Sequence, residues 1–235
     1  MRVCRLAPGC SPDATTRHAK AATRLPAGRE VYDEFAPFLG TWTVMMAAMM
    51  VPSAMPMIRL HRLGADGERA KAIWTAAFLA GYLLVWASVG VVAWGAAQLA
   101  MSVVDAERRA IAVAGVLLLA GVYQFTPLKS TCLRACRSPA DFLFLHWHRA
   151  LAGQLRLGVE HGLYCLGCCW ALMALFVGAG AMSVPWAVAI AMLVLIEKVF
   201  PRGVALGRVA GAALIVASVV VFARPELAMD IGNQM

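Results

Sequence analysis

Residues 73–97, "IWTAAFLAGYLLVWASVGVVAWGAA", run for twenty-five positions without Asp, Glu, Lys or Arg. As a helix this stretch would rise about 37 Å, more than the roughly 30 Å of a bilayer's hydrocarbon core. The surrounding chain has the same character: 61% of its residues are hydrophobic, 14% are charged and the mean hydropathy is +0.72. That composition excludes an ordinary soluble domain. Six segments of span length stand out, at 38–58, 73–97, 109–126, 161–182, 184–200 and 204–223. The sequence therefore predicts an all-α, polytopic transmembrane helix bundle of about six spans over 36–224. A disordered polar tail over 1–35 precedes it and a short tail over 225–235 follows.

The formal charge of +8 does not point to nucleic acid, because the basic residues sit in short loops beside span ends. Loops 59–72, 127–160 and 198–208 carry four, five and three Lys or Arg, whereas the other connections and the C-terminal tail hold Arg108, Arg109 and Arg224. The bias predicts that these three loops, after spans one, three and five, face the cytoplasm and that both termini lie outside, in a multi-pass membrane protein. The chain has no secretory h-region, and its seven cysteines are an odd number, so at least one thiol is free.

Soft donors collect in three places. In "HGLYCLGCCWALM" (161–173), the 100° advance per residue puts His161, Cys165 and Cys168 on one helix face, with Cys169 slightly further round. Thiolate and imidazole suit Cu(I) and also Zn(II), and an ionisable intramembrane residue reads as functional by default. In "WTVMMAAMMVPSAMPM" (42–57), Met45 with Met49 and Met46 with Met50 form two thioether ladders, and Met55 and Met57 follow. Thioethers bind Cu(I) without proton competition, although methionine also serves as a flexible core filler. Pro52 and Pro56 are expected to kink or break this helix.

The third cluster is the loop "TPLKSTCLRACRSPADF" (126–142), where Cys132 and Cys136 share a helical face and Lys129, Arg134 and Arg137 would favour their thiolates. Glu197 and Lys198 end span five. Lys198 reads as a snorkelling anchor, and Glu197 as a partner for a ligating histidine or for Arg202. His146 and His148 read as an interfacial belt beside Trp147. No phosphate-binding loop, Ser-His-Asp pattern or HExxH accompanies these clusters, which leaves an ATP-driven pump without support.

The runs "WTVMMAAMMVPSAMP", "FLAGYLLVW", "GVYQFTPLKSTCLRACRSP", "GLYCLGCCWALM" and "LIEKVFPRG" resemble, over residues 40–222, a bacterial family of uncharacterised integral membrane proteins catalogued as predicted metal-binding. Its AMMxPSAxP, CLxxCR and CxGCCW motifs fall here on Met49, Met50 and Pro52, on Cys132 and Cys136, and on Cys165, Cys168 and Cys169; Lys129 and Glu197 match as well. The resemblance implies metal binding in a copper-homeostasis setting. Members usually carry a further, often Met-rich, span before the AMMxPSAxP helix, where this chain has its polar residues 1–35.

The leading expectation is a membrane protein that binds Cu(I) through His161, Cys165, Cys168 and Cys169. Cys132 and Cys136 form a capture pair at the cytoplasmic mouth, Met45, Met46, Met49, Met50 and Met55 form a route, and Glu197 and Lys129 stand behind the ligands. Its partners would be the lipid bilayer and a metallochaperone or client metalloprotein. Two competitors stand beside it: a membrane thiol-disulfide oxidoreductase working between Cys165/Cys168 and Cys132/Cys136, and an accessory subunit whose sulfurs only pack.

Overall fold

The structure, a computed structural model, describes residues 34–104, 106–147, 150–178 and 184–224. The expected tails at 1–33 and 225–235, and His148 of the interfacial belt, lie outside the described residues. The described chain is helical throughout and contains no strand. Its elements are α1 (Phe35–Leu63), α2 (Glu68–Val103), α3 (Ala106–Tyr123), α4 (Pro127–Arg137), α5 (Pro139–His146), α6 (Leu151–Gly178), α7 (Val184–Val199) and α8 (Gly203–Ala223).

Local sequence sets the joints. Between α1 and α2 the chain turns at Gly67, whose φ of +85° would strain any residue with a Cβ. Thr126 caps α4 by accepting from the Lys129 amide at 3.3 Å, and Pro127 and Pro139 occupy the first helical positions of α4 and α5, where their missing amide costs nothing. Arg156 and Glu160, one turn apart at 2.8 Å, lie within α6.

Helix α6 is the hub and packs against α2, α3, α4 and α7. Its closest partner is α2. A Cβ at Gly81 would strike the Leu155 carbonyl and one at Gly158 the Phe78 carbonyl, so the two backbones approach as only small residues permit. Helix α1 packs on α2 as well, where Trp42 donates its indole N–H to the Trp86 carbonyl at 3.0 Å. Helix α8 pairs with α3, where Gly211 and Ser218 are buried, and turns Gly203 and Gly207 to Glu197 of α7, while Val209, Val216, Val219 and Phe222 face outward.

Among the described residues four helical stretches are long and apolar enough to cross a bilayer: Phe35–Leu63, Glu68–Ala100, Leu151–Leu175 and Gly203–Ala223. A fifth appears if Ala110–Tyr123 and Pro127–Arg137, bent by 62°, count as one broken span. The expected six therefore reduce to four or five by this measure. The shortfall is at α7, whose 16 residues rise only about 24 Å. Two further expectations change. Helix α6 begins at Leu151 rather than near 161, because the Arg156–Glu160 pair belongs to the helix and not to a loop. Pro52 and Pro56 do not break α1, which is continuous across both; the Ser53 hydroxyl (2.8 Å) and the Tyr82 phenol (3.5 Å) both donate to the nearby Met50 carbonyl.

Candidate metal site

The CxGCCW face of α6 turns wholly inward. Cys165, Cys168, Cys169 and His161 are all buried, and the thiols of Cys168 and Cys169 each donate to the Cys165 carbonyl at 3.0 Å. Cys165 Sγ instead faces across the bundle. It lies 3.0 Å from the Tyr82 hydroxyl of α2 and 2.9 Å from Lys198 Nζ of α7. Lys198 also donates to Ser53 Oγ of α1 at 3.0 Å. A thiol, a phenol, a hydroxyl and an ammonium from four helices thus meet at one point.

Helix α4 lies on α6 where Gly167 leaves room, since a Cβ there would sit 2.6 Å from Cys132 Sγ. This packs Cys136 against the buried cluster that holds Cys165, Cys168 and Cys169. All five cysteines among the described residues are free thiols. From α1, Met46, Met49, Met50 and Met57 join the same buried cluster, with Met45 packed at its edge.

His161 packs against Phe78, Tyr82 and Phe142, with ring centroids 5.4–5.9 Å away. Its Nδ1 is buried and has no hydrogen-bond partner among the described residues.

Several expectations need correcting. Met55 points away from the cluster and is 37% exposed; at 100° per residue it falls on the opposite side of α1 from Met46 and Met57. The 126–142 stretch is not an open loop at a mouth but two helices folded into the bundle, with Cys132 buried and Cys136 half-buried. The basic residues expected to activate these thiols are engaged elsewhere. Lys129 donates to both carboxylate oxygens of Glu197 (2.7 and 2.9 Å) and to Gln124. Arg137 holds the Glu197 and Pro201 carbonyls at 2.8 and 3.3 Å, and Arg134 reaches Thr131. Glu197 accordingly pairs with Lys129, not with a histidine or Arg202. Lys198 does not snorkel; it is 6% exposed and points at Cys165. His146 stacks on Phe142 at 4.5 Å.

Three participants escaped the sequence reading. Tyr82 and Ser53 look like ordinary span residues, and nothing local marks them. His61, fully buried in the last turn of α1, contacts Gln154 Oε1 at 2.6 Å through Nε2 and packs among Trp74, Phe78 and Trp147. Its signal was visible, since a histidine one helical turn past Met57 falls on the buried face.

Among the described residues no three His, Cys, Asp or Glu side chains form a ready-made cage for a metal. The donor set nevertheless fits a soft ion that is satisfied by two sulfurs, and the unpartnered His161 Nδ1 adds a buried lone pair or N–H beside them. No curated protein and no solved structure matches the chain. A family model described as PpoB2, copper chaperone, matches residues 39–221, which takes in every donor above, and the chain belongs to that family.

Proposed function

We propose that the protein is embedded in the bacterial inner membrane and holds copper as Cu(I) between sulfurs of α6 and α4 until a client metalloprotein takes it. The observation that carries this reading is the convergence of Cys165, Cys168 and Cys169 with Cys136 of a second helix in a buried cluster edged by thioethers. Thiolates and thioethers are the ligands that favour Cu(I) over harder ions, and burial keeps the ion from water. Zn(II) would accept the same thiolates but asks for four donors in a tetrahedron.

In this reading Cys165 and Cys168 are the primary ligands. Cys169, Cys136 and His161 are alternatives to which the ion moves as a client ligand displaces one bond at a time, and Cys132 stands next along α4. Met46, Met49 and Met50 supply weak, charge-neutral contacts along α1. The outward valines and Phe222 of α8 support a lipid environment, because large apolar residues face out while small ones face in. Six crossings follow if α3 with α4 makes a broken span and α7 a short one, with α4 beneath α7 satisfying its terminal carbonyls through Arg137. The Lys and Arg bias then puts the α1–α2 turn, α4 and α5 on the cytoplasmic side.

The test is anaerobic Cu(I) loading of the purified, detergent-solubilised chain beside a Cys165→Ser/Cys168→Ser/Cys169→Ser variant, read by metal content and by the thiolate-to-copper absorption band. Near-stoichiometric copper that is lost in the variant supports the site. Equal copper in both sinks it, and thiol trapping that shows disulfides exchanging between Cys165/Cys168 and Cys132/Cys136 without copper would put the oxidoreductase in its place.

A further inference from the structure

Lys198 has no explanation as a ligand, since an ammonium has no lone pair, and none as an anchor, since it is buried. An ion taken from water into the interior costs several kcal/mol unless an opposite charge meets it. The obvious partner is the adjacent Glu197, yet both of that residue's carboxylate oxygens accept from Lys129. What Lys198 touches is Cys165 Sγ at 2.9 Å and Ser53 Oγ at 3.0 Å. Cys168, Cys136, Tyr82 and His161 also face its charge, and Glu197 feels it from the neighbouring position while remaining paired with Lys129. The chain has therefore directed a buried cation at its sulfurs and occupied the nearest carboxylate with a second lysine.

Charge counting gives this arrangement a purpose. Two thiolates around a monovalent ion carry a net charge of −1, and a fixed ammonium beside them brings the buried assembly to zero. Two thiolates around a divalent ion are already neutral, so the same ammonium leaves a buried, uncompensated +1. A third thiolate would restore balance for the divalent ion, but although Cys165, Cys168, Cys169 and Cys136 share one cluster, among the described residues no three of them are placed to hold one ion together. Ser53 fixes the direction of the ammonium from α1. Tyr82, 3.0 Å from Cys165 Sγ, can donate to the same sulfur without carrying charge. We infer that Lys198 is a specificity-determining positioning residue: the built-in counter-cation of a bis(thiolate) complex of Cys165 and Cys168, which admits monovalent soft ions and rejects divalent ones.

This inference rests on the copper-holding reading of the same cluster, and the experiment separates the two. Full-length wild type, Lys198→Met, Lys198→Gln, Lys198→Arg and Cys165→Ser/Cys168→Ser proteins, each checked for monodispersity, are titrated anaerobically in detergent with Cu(I), with the redox-inert monovalent probe Ag(I), and with Zn(II), against competing chelators. The readout is the ratio of monovalent to divalent affinity. The neutral variants should lose about tenfold or more of that ratio, through weaker Cu(I) and Ag(I) binding with Zn(II) unchanged or tighter, and Lys198→Arg should recover most of it. Met and Gln replacements remove a buried cation without stranding an opposite charge, so either suffices if the other fails to fold. Wild-type ratios in a neutral variant that still loses its copper on Cys165→Ser/Cys168→Ser substitution would overturn the role of Lys198 alone. Unchanged copper in the double-serine variant would overturn the site itself.

Discussion

At the scale of single residues, the two adjacent charges at the end of α7 take different tasks because their side chains leave the helix about 100° apart. Glu197 turns toward α4 and α8, where Lys129 closes a buried pair at 2.7 Å and Gly207 leaves room for the carboxylate. Lys198 turns toward α6 and α1. The Glu197 pair is structural, and its energetics follow from desolvation. Lys129→Met or Glu197→Gln alone should destabilise the metal-free protein by about 3–5 kcal/mol, and the double replacement Lys129→Met/Glu197→Leu should recover much of that loss. Thermal unfolding of reduced protein in detergent checks it, and a single variant as stable as wild type would contradict the pairing. The methionines make the opposite prediction. Leucine at 46 and 50 nearly conserves volume and should cost less than about 1.5 kcal/mol each. If these thioethers lie on the route, Met46→Leu/Met50→Leu should slow copper loading in stopped-flow absorption while final stoichiometry stays the same.

At the scale of elements, the α2–α6 contact does most to position the site, since it sets Tyr82 against Cys165. Gly158 makes that approach possible. Gly158→Ala places a Cβ against the Phe78 carbonyl and should cost about 1–3 kcal/mol as the helices part. Gly95 in the same α2 has open space around its Cα, so Gly95→Ala should instead gain about 0.5–1 kcal/mol from reduced backbone freedom in the unfolded chain. Equal melting temperatures for the two would argue against the close packing. Helical class, and the face that carries His161, Cys165, Cys168 and Cys169, were legible because both depend on local period and composition. The start of α6 was misjudged because Arg156 and Glu160 read as loop charges until their pairing is seen. The same limit applies to Lys198: snorkelling and burial look alike in sequence, and only the packing of α1 and α6 against α7 decides between them. Met55 and Met57 illustrate the finer failure, where two residues of one type, two positions apart, face opposite ways.

At the scale of the whole molecule, the cluster sits near the middle of α6, the helix that contacts most of the others. Cys165 lies 14 positions into the 28-residue α6, and its lysine partner comes from the last turn of the 16-residue α7. Helix α7 therefore ends about half-way along its neighbour, and α4 packs against that end. Arg137 supplies donors to the carbonyls of Glu197 and Pro201 that the turn there leaves open. In the proposed orientation the α4 side of the bundle faces the cytoplasm. The orientation has a direct test in intact cells. In a Cys4→Ser/Cys10→Ser background, which removes the thiols of the N-terminal segment, a cysteine is introduced either in the exposed α1–α2 turn (Asp66→Cys) or just past α8 (Arg224→Cys). A membrane-impermeant maleimide should label the Arg224→Cys protein in whole cells and the Asp66→Cys protein only after lysis. The reverse pattern would turn the bundle over, put α4 on the outer face, and require the client that receives copper to approach from outside the cell.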